Sequence, residues 1–148
     1  MPIQKSEIKD YYSSVGNSEG GSISANVIPI DELAESVSSG SSQITLYNAS
    51  GFAVNDEIVI NDGTNKEKRT INAINGNTLT LNAALSNSYN ADTPVAKLGA
   101  LLPNITPQEA SSGVTKYKKF FKKNNSTLDW IDVISWISKQ PTNAAVSI

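Results

Sequence analysis

Between residues 41 and 98 the chain is a series of short runs rich in Ile, Val, Leu and Thr, each cut off by a turn signal before it can lengthen. A stable helix needs several uninterrupted turns, whereas strands of about five residues joined by tight turns do not. This stretch therefore has to be all-β. Its sharpest signal is Asn75-Gly76 followed by Asn77-Thr78-Leu79-Thr80-Leu81. A two-residue type I′ turn needs positive φ at both centres, which Asn and Gly tolerate, and the alternation that follows turns Leu79 and Leu81 inward and Thr78 and Thr80 outward. Ile44 and Leu46 share a face with the side chain of Asn48, opposite Thr45 and Tyr47. Further strands are read at Glu57 to Ile60, closed by Asn61-Asp62-Gly63, at Arg69 to Ile74, and at Pro94 to Leu98. Phe52 and Val54 are expected to plug one end of the core. Five short strands in one such segment predict a small barrel.

The flanking halves read as one split domain, so the expected organisation is a β-sandwich base of residues 1–40 plus 99–148 with a small β-barrel module, 41–98, inserted into it. Ile3 to Tyr12 is a short strand or arm, Ser13 to Ser24 a Gly/Ser/Asn loop, and Asn26 to Ile30 alternates toward β. Asp31 stands where it would cap a single helical turn over Glu32 to Val37. Gly113 to Asn124 sets Val114, Tyr117, Phe120 and Phe121 among five lysines. Such a strand either grips nucleic acid or an acidic partner, or is an edge whose lysines block unwanted pairing and whose aromatics face the core; the edge reading is preferred, because the acidic remainder of the chain offsets the local charge. Thr127 to Ile137 fits an amphipathic helix or a strand buried on both faces, and its Trp, Ile and Val content favours the strand. Ala144 to Ile148 is a β-prone tail. This tail and the N-terminal arm lack an obvious internal partner and are expected to be ordered through other subunits.

The chain contains neither cysteine nor histidine, which removes disulfides, Cys/His zinc sites, Cys nucleophiles and Ser-His-Asp arrangements together. No catalytic, cofactor or metal residue is assigned, no cofactor is expected, and the reading is of a protein that is not an enzyme. Asp56, Glu57, Asp62 and Glu67 cluster in sequence without the spacing of a calcium loop and are read as solvated turn and strand-edge charges. A formal net charge of -2 and a pI near 5.1 argue against a general nucleic-acid binder. No run is long and apolar enough for a membrane span, and the first residues lack the apolar centre of a signal peptide.

Two sets of motifs carry a resemblance. GFAVNDEIVIND, followed by EKRTINAINGNTLTL, is similar to small β modules of tailed-bacteriophage virion proteins and some bacterial surface proteins, in which a GF-x-x-GD stretch precedes a GNTLTL hairpin. Asn55 stands where that pattern has Gly. The flanks resemble a second phage family with a Gly-rich GG-x-I loop and an LFPDVS-x-x-EA-x-x-G-x-x-x-Y segment leading into a strand that ends in KN. The matching positions are Gly20, Gly21, Ile23, Leu102, Pro103, Ile105, Glu109, Ala110, Gly113, Tyr117, Lys118, Lys123 and Asn124. Lys119 and Lys122 depart from it, standing where such proteins carry hydrophobic residues.

The resemblance implies a structural virion protein of a tailed bacteriophage, assembled in the host cytoplasm. The leading expectation is a capsid decoration, or cement, protein that bridges subunits of the major capsid protein and is homo-oligomeric on the particle. Its anchoring surface is expected at Lys116, Lys118, Phe120, Phe121, Trp130 and Trp136. The alternatives are a tail, neck or baseplate component, and a carbohydrate-binding or adhesion module in which Tyr11, Tyr12, Tyr47 and Tyr89 stack on sugars.

Overall fold

The computed structural model describes residues 3–14, 22–100, 107–112 and 120–128. These form nine strands: β1 (Ile8–Ser13), β2 (Ile23–Val27), β3 (Ile30–Glu32), β4 (Gln43–Thr45), β5 (Glu57–Asn61), β6 (Lys66–Asn75), β7 (Thr78–Leu81), β8 (Pro94–Lys97) and β9 (Phe120–Asn124). A short α-helix, α1 (Pro107–Ser112), precedes β9, and one turn of 3-10 helix (Lys5–Glu7) precedes β1. The chain is all-β, as its punctuated apolar runs require, and is built as two antiparallel sheets, one of them a curled half-barrel.

The half-barrel has the strand order β3-β8-β5-β6-β7-β4. Its two outermost strands are laced by a bridge between Leu33 and Leu46, with the Ala34 N–H donating to Thr45 O and the Tyr47 N–H to Glu32 O. Curling brings the alternate apolar positions onto one inner face, where Leu33, Ile44, Ile58, Ile60, Leu79 and Val95 belong to a single buried cluster. Each such side chain contributes about 1.5–3 kcal/mol relative to exposure. Leu79 and Leu81 point inward as the alternation requires, with Thr78 and Thr80 half-buried beside them. In β6 the register shifts between Ile71 and Ala73. This bulge lets Ile71 and Ile74, three residues apart, both approach the core where an unbroken strand would turn them to opposite faces.

Several local expectations are corrected. The hairpin turn is Gly76-Asn77, closed by the Asn75–Thr78 pair, and only its first centre has positive φ; that is the requirement of a II′ turn, not of I′. Asn77 is drawn into the turn because its Oδ1 accepts from the Ala49 N–H while its Nδ2 donates to Tyr47 O. Val54 is 49% exposed, not a core plug. A tight turn held by the Ala53 N–H to Asp56 Oδ2, with Asn55 at φ 71, throws it outward while Phe52 stays buried. Asn55 thus takes the left-handed conformation for which Gly would ordinarily be used.

The helical turn expected after Asp31 does not form. Glu32 belongs to β3, and Leu33 is held on both sides by backbone bonds to Asp92 and Thr93 and by the bridge to Leu46. Burying Leu33 in the core outweighs a single isolated turn, which is costly to nucleate. Strand β3, ahead of residue 41, pairs with β8 and so contributes to the half-barrel.

The second sheet has the order β2-β1-β9. The N-terminal arm, for which the sequence offers no obvious internal partner, is its middle strand and pairs on both edges. The strand expected over residues 127–137 lies outside the described residues from 129 onward, as do the tail at 144–148 and, of the family-matched positions, Gly20, Gly21, Leu102, Pro103, Ile105, Gly113, Tyr117 and Lys118.

Candidate docking surface and the seam beside it

The two sheets meet along β1, and the described contacts between them are largely polar. At one end the Lys5 ammonium lies 2.7 Å from Glu32 and 2.6 Å from Asp92, and 5.1 Å from the centre of the Tyr47 ring. Tyr47 OH in turn donates to Asp92 at 2.9 Å. Both carboxylates raise the Lys5 pKa, and Lys5 and Tyr47 hold Asp92 below the usual carboxylate range. Further along, Asn48 Nδ2 donates to Ser6 O and the Ile28 N–H to Asp10 O. At the far end Tyr12 OH donates to Ala100 O. Gly51 lies close against the Val27 backbone: at φ 100, a Cβ there would lie 3.1 Å from Val27 O.

Asp31 sits half-buried in this seam, and burial pushes its pKa up to about 6, with Glu32 and Asp10 adding to the rise against hydrogen bonds from the Glu32 and Asn48 N–H groups. Asp10 Oδ1 is shielded from solvent and faces the Lys122 ammonium at 2.8 Å.

The acidic cluster divides. Glu57 and Asp62 are exposed, as expected, but Asp56 and Glu67 are buried. Asp56 pairs with Lys97 at 2.6 Å and caps the 53–56 turn. Glu67 lies on the inward phase of β6, two residues before Arg69 and four before Ile71. It accepts from Ser86 N at 2.9 Å, Asn87 N at 2.6 Å, Asn87 Nδ2 at 2.7 Å, Tyr89 OH at 3.1 Å and Arg69 Nη2 at 2.5 Å. Burial alone would raise its pKa, but these donors outweigh it and hold Glu67 below the usual range. Burial and the Glu67 contact push Tyr89 up to about 12. Glu67 is thus a clamp fastening the loop before Tyr89 to the half-barrel. Both buried carboxylates are occupied by structural partners.

Of the anchoring residues expected from sequence, the structure describes Phe120 and Phe121; Lys116, Lys118, Trp130 and Trp136 lie outside the described residues. Phe120 opens β9 opposite Tyr12 and is 52% exposed, while Phe121 is half-buried opposite Tyr11. Among the described residues β9 is an edge strand, in keeping with the preferred reading of its lysines, but Phe120 does not turn into a core. The Asn125 N–H donates to Glu7 O, which fixes the phase of the ladder. Lys9 with Lys123 and Tyr11 with Phe121 are the hydrogen-bonded pairs, so the N–H and C=O groups of Phe120 and Lys122 face away from β1. Sequence reasoning missed the Lys9–Lys123 juxtaposition because the partner strand of β9 was not legible.

The tyrosine platform required for sugar stacking is not assembled. Tyr89 is 2% exposed within the core, Lys5 stands over the Tyr47 ring, and neighbouring residues Tyr11 and Tyr12 project to opposite faces of β1. Among the described residues no group of three or more His, Cys, Asp or Glu side chains is placed to hold a metal ion. No described helix is long and apolar enough to cross a membrane. No protein-family model, curated protein or solved structure matches this chain.

Proposed function

We propose that this chain is a structural protein of a tailed-phage virion, a decoration or cement protein that docks its three-stranded sheet on neighbouring capsid subunits and works without chemical transformation. The observation that carries this reading is the contrast between the sheets. The half-barrel closes a core of its own, whereas no described residue of β1, β2 or β9 is fully buried. Phe120 and Ile23 are exposed there at 52% and 42%, and Leu128, in the bend after β9, at 43%. Apolar side chains exposed on a sheet of which no described residue is fully buried are what an assembly contact would cover. The occupied state of Asp56 and Glu67 supports a non-catalytic role, and the phage-like motifs supply the kind of particle.

Quantitative mass spectrometry of purified particles encoding the chain, together with sedimentation of the purified protein with DNA-filled heads, tests this. A copy number on the scale of the capsid lattice and co-sedimentation with heads are expected. A ring-scale copy number would move the assignment to a tail, neck or baseplate component. Absence from particles and no head binding would overturn the reading.

A further inference from the structure

The sequence holds two places where Asp or Asn precedes glycine, Asp62-Gly63 and Asn75-Gly76. Such pairs are chemically weak, because glycine has no Cβ to shield its amide nitrogen from the carbonyl carbon of the preceding side chain. The fold treats the two differently. At the first, the Gly63 N–H donates to Asn61 Oδ1 at 2.9 Å, while Asp62 Oδ1 accepts from the Thr64 and Asn65 N–H groups at 2.8 and 2.6 Å. Both reacting groups are thereby tied down. At the second, the ladder bonds of the two-residue turn belong to its closing pair, Asn75 and Thr78, and leave the first centre out. Asn75 and Gly76 are exposed, and among the described residues no hydrogen bond uses the Gly76 N–H or the Asn75 side chain. Asn77, by contrast, has its side-chain amide held by Ala49 and Tyr47.

We propose that Asn75 is a site of spontaneous deamidation, and that the isoaspartate formed there loosens the β4–β7 edge of the half-barrel. The Gly76 amide nitrogen gives its proton to hydroxide and attacks Asn75 Cγ. The Cγ–Nδ2 bond then breaks, and ammonia leaves with a proton from water, which restores the hydroxide. Water opens the resulting five-membered imide in one of two ways. Cleavage between Gly76 N and Cγ leaves an aspartate; cleavage between Gly76 N and the Asn75 main-chain carbonyl carbon leaves an isoaspartate, whose main chain is one carbon longer. Ring closure takes Asn75 out of its strand conformation, and as the last residue of β6 it can turn by releasing only its pair with Thr78. The added carbon displaces Asn77, whose main-chain oxygen accepts from the Leu46 N–H and whose Oδ1 accepts from the Ala49 N–H. A change at the hairpin tip therefore reaches the segment that carries Tyr47. This chemistry is independent of the assembly role.

The test holds the full chain at pH 8, folded in one sample and unfolded by urea in another, and maps both by mass spectrometry after digestion. Isoaspartate is counted by methyl transfer from labelled S-adenosylmethionine with an isoaspartyl methyltransferase. In the folded chain, isoaspartate is expected in the peptide containing residue 75, with Asn77 and Asp62 intact, and is expected to be missing from that peptide in Asn75→Gln. Asn61→Ala, an exposed change that frees the Gly63 N–H, should raise isoaspartate at residue 62 about tenfold. The acidic fraction that carries isoaspartate at 75 should exchange its Leu46 and Ala49 amide hydrogens about tenfold faster, with Ile58 and Ile60 unchanged. An Asn75 that keeps its amide in the folded chain while the urea-unfolded chain loses it would overturn the proposal. So would an unaltered residue 62 in Asn61→Ala, or unaltered exchange at Leu46 and Ala49.

Discussion

Replacing Glu67 by alanine should be one of the most damaging single changes in the half-barrel. The carboxylate receives hydrogen bonds from Ser86, Asn87, Tyr89 and Arg69. Arg69 would keep its contacts with Ala84 O and Lys68 O, and Ser86 is exposed enough for water to replace the lost acceptor. Tyr89 OH would not be compensated, because the residue is 2% exposed. A stranded buried hydroxyl costs about 1–3 kcal/mol, and each lost charge-assisted bond that water does not restore adds about 1.5–3 kcal/mol. The expected loss for Glu67→Ala is about 3–4 kcal/mol, a large fraction of a typical domain's stability. Glu67→Gln keeps one acceptor oxygen but points an amide donor at other donors, and should lose about 2 kcal/mol. Urea unfolding at pH 7, followed by tryptophan-independent circular dichroism, measures both. A change below about 1 kcal/mol for Glu67→Ala would refute the clamp.

The pH dependence of two carboxylates should run in opposite senses. Glu67 has a lowered pKa, so its stabilisation is present above the unfolded carboxylate value and disappears as pH falls through the folded one; Glu67→Gln should flatten the acid limb of a stability–pH profile. Asp31, raised to about 6, destabilises the native state above that pH, and this is relieved as pH falls toward the unfolded value of about 3.9. Asp31→Asn should raise the melting temperature at pH 7.5 and lose that advantage by pH 4. Gly51→Ala combines a φ of 100 with a Cβ placed 3.1 Å from Val27 O, and should cost about 1–3 kcal/mol in urea unfolding. Lys5→Ala should increase hydrogen exchange in β1, with the β5–β6 amides unchanged, since Lys5 ties the N-terminal segment to Glu32 and Asp92.

The sequence was most legible where a single periodicity governs. Alternation at Thr78–Leu81 placed each side chain, because a two-residue period with one buried face leaves no second solution. Its limits lie where distant partners decide. The phase of the Gly76-Asn77 turn is set by Asn77 reaching Tyr47 and Ala49, nearly thirty residues away in the chain. Leu33 fits a helical turn on local pattern, because nothing nearby in sequence announces the bridge to Leu46. Glu67 has the local pattern of an ordinary strand-edge charge, although its place on the same phase as Ile71 is a clue to burial. At the candidate surface, Phe120 was visible as an aromatic among lysines. Its true setting depended on pairing between residues 8–12 and 120–124, which no local pattern specifies.

The most direct test of the docking account is an electron-microscopy reconstruction of an intact particle that encodes this chain. The account predicts repeated density on the outer capsid lattice, with the β2-β1-β9 sheet against capsid subunits and the half-barrel projecting away. A particle without this density, or one in which the half-barrel makes the contact while Phe120 and Lys123 face solvent, would contradict it.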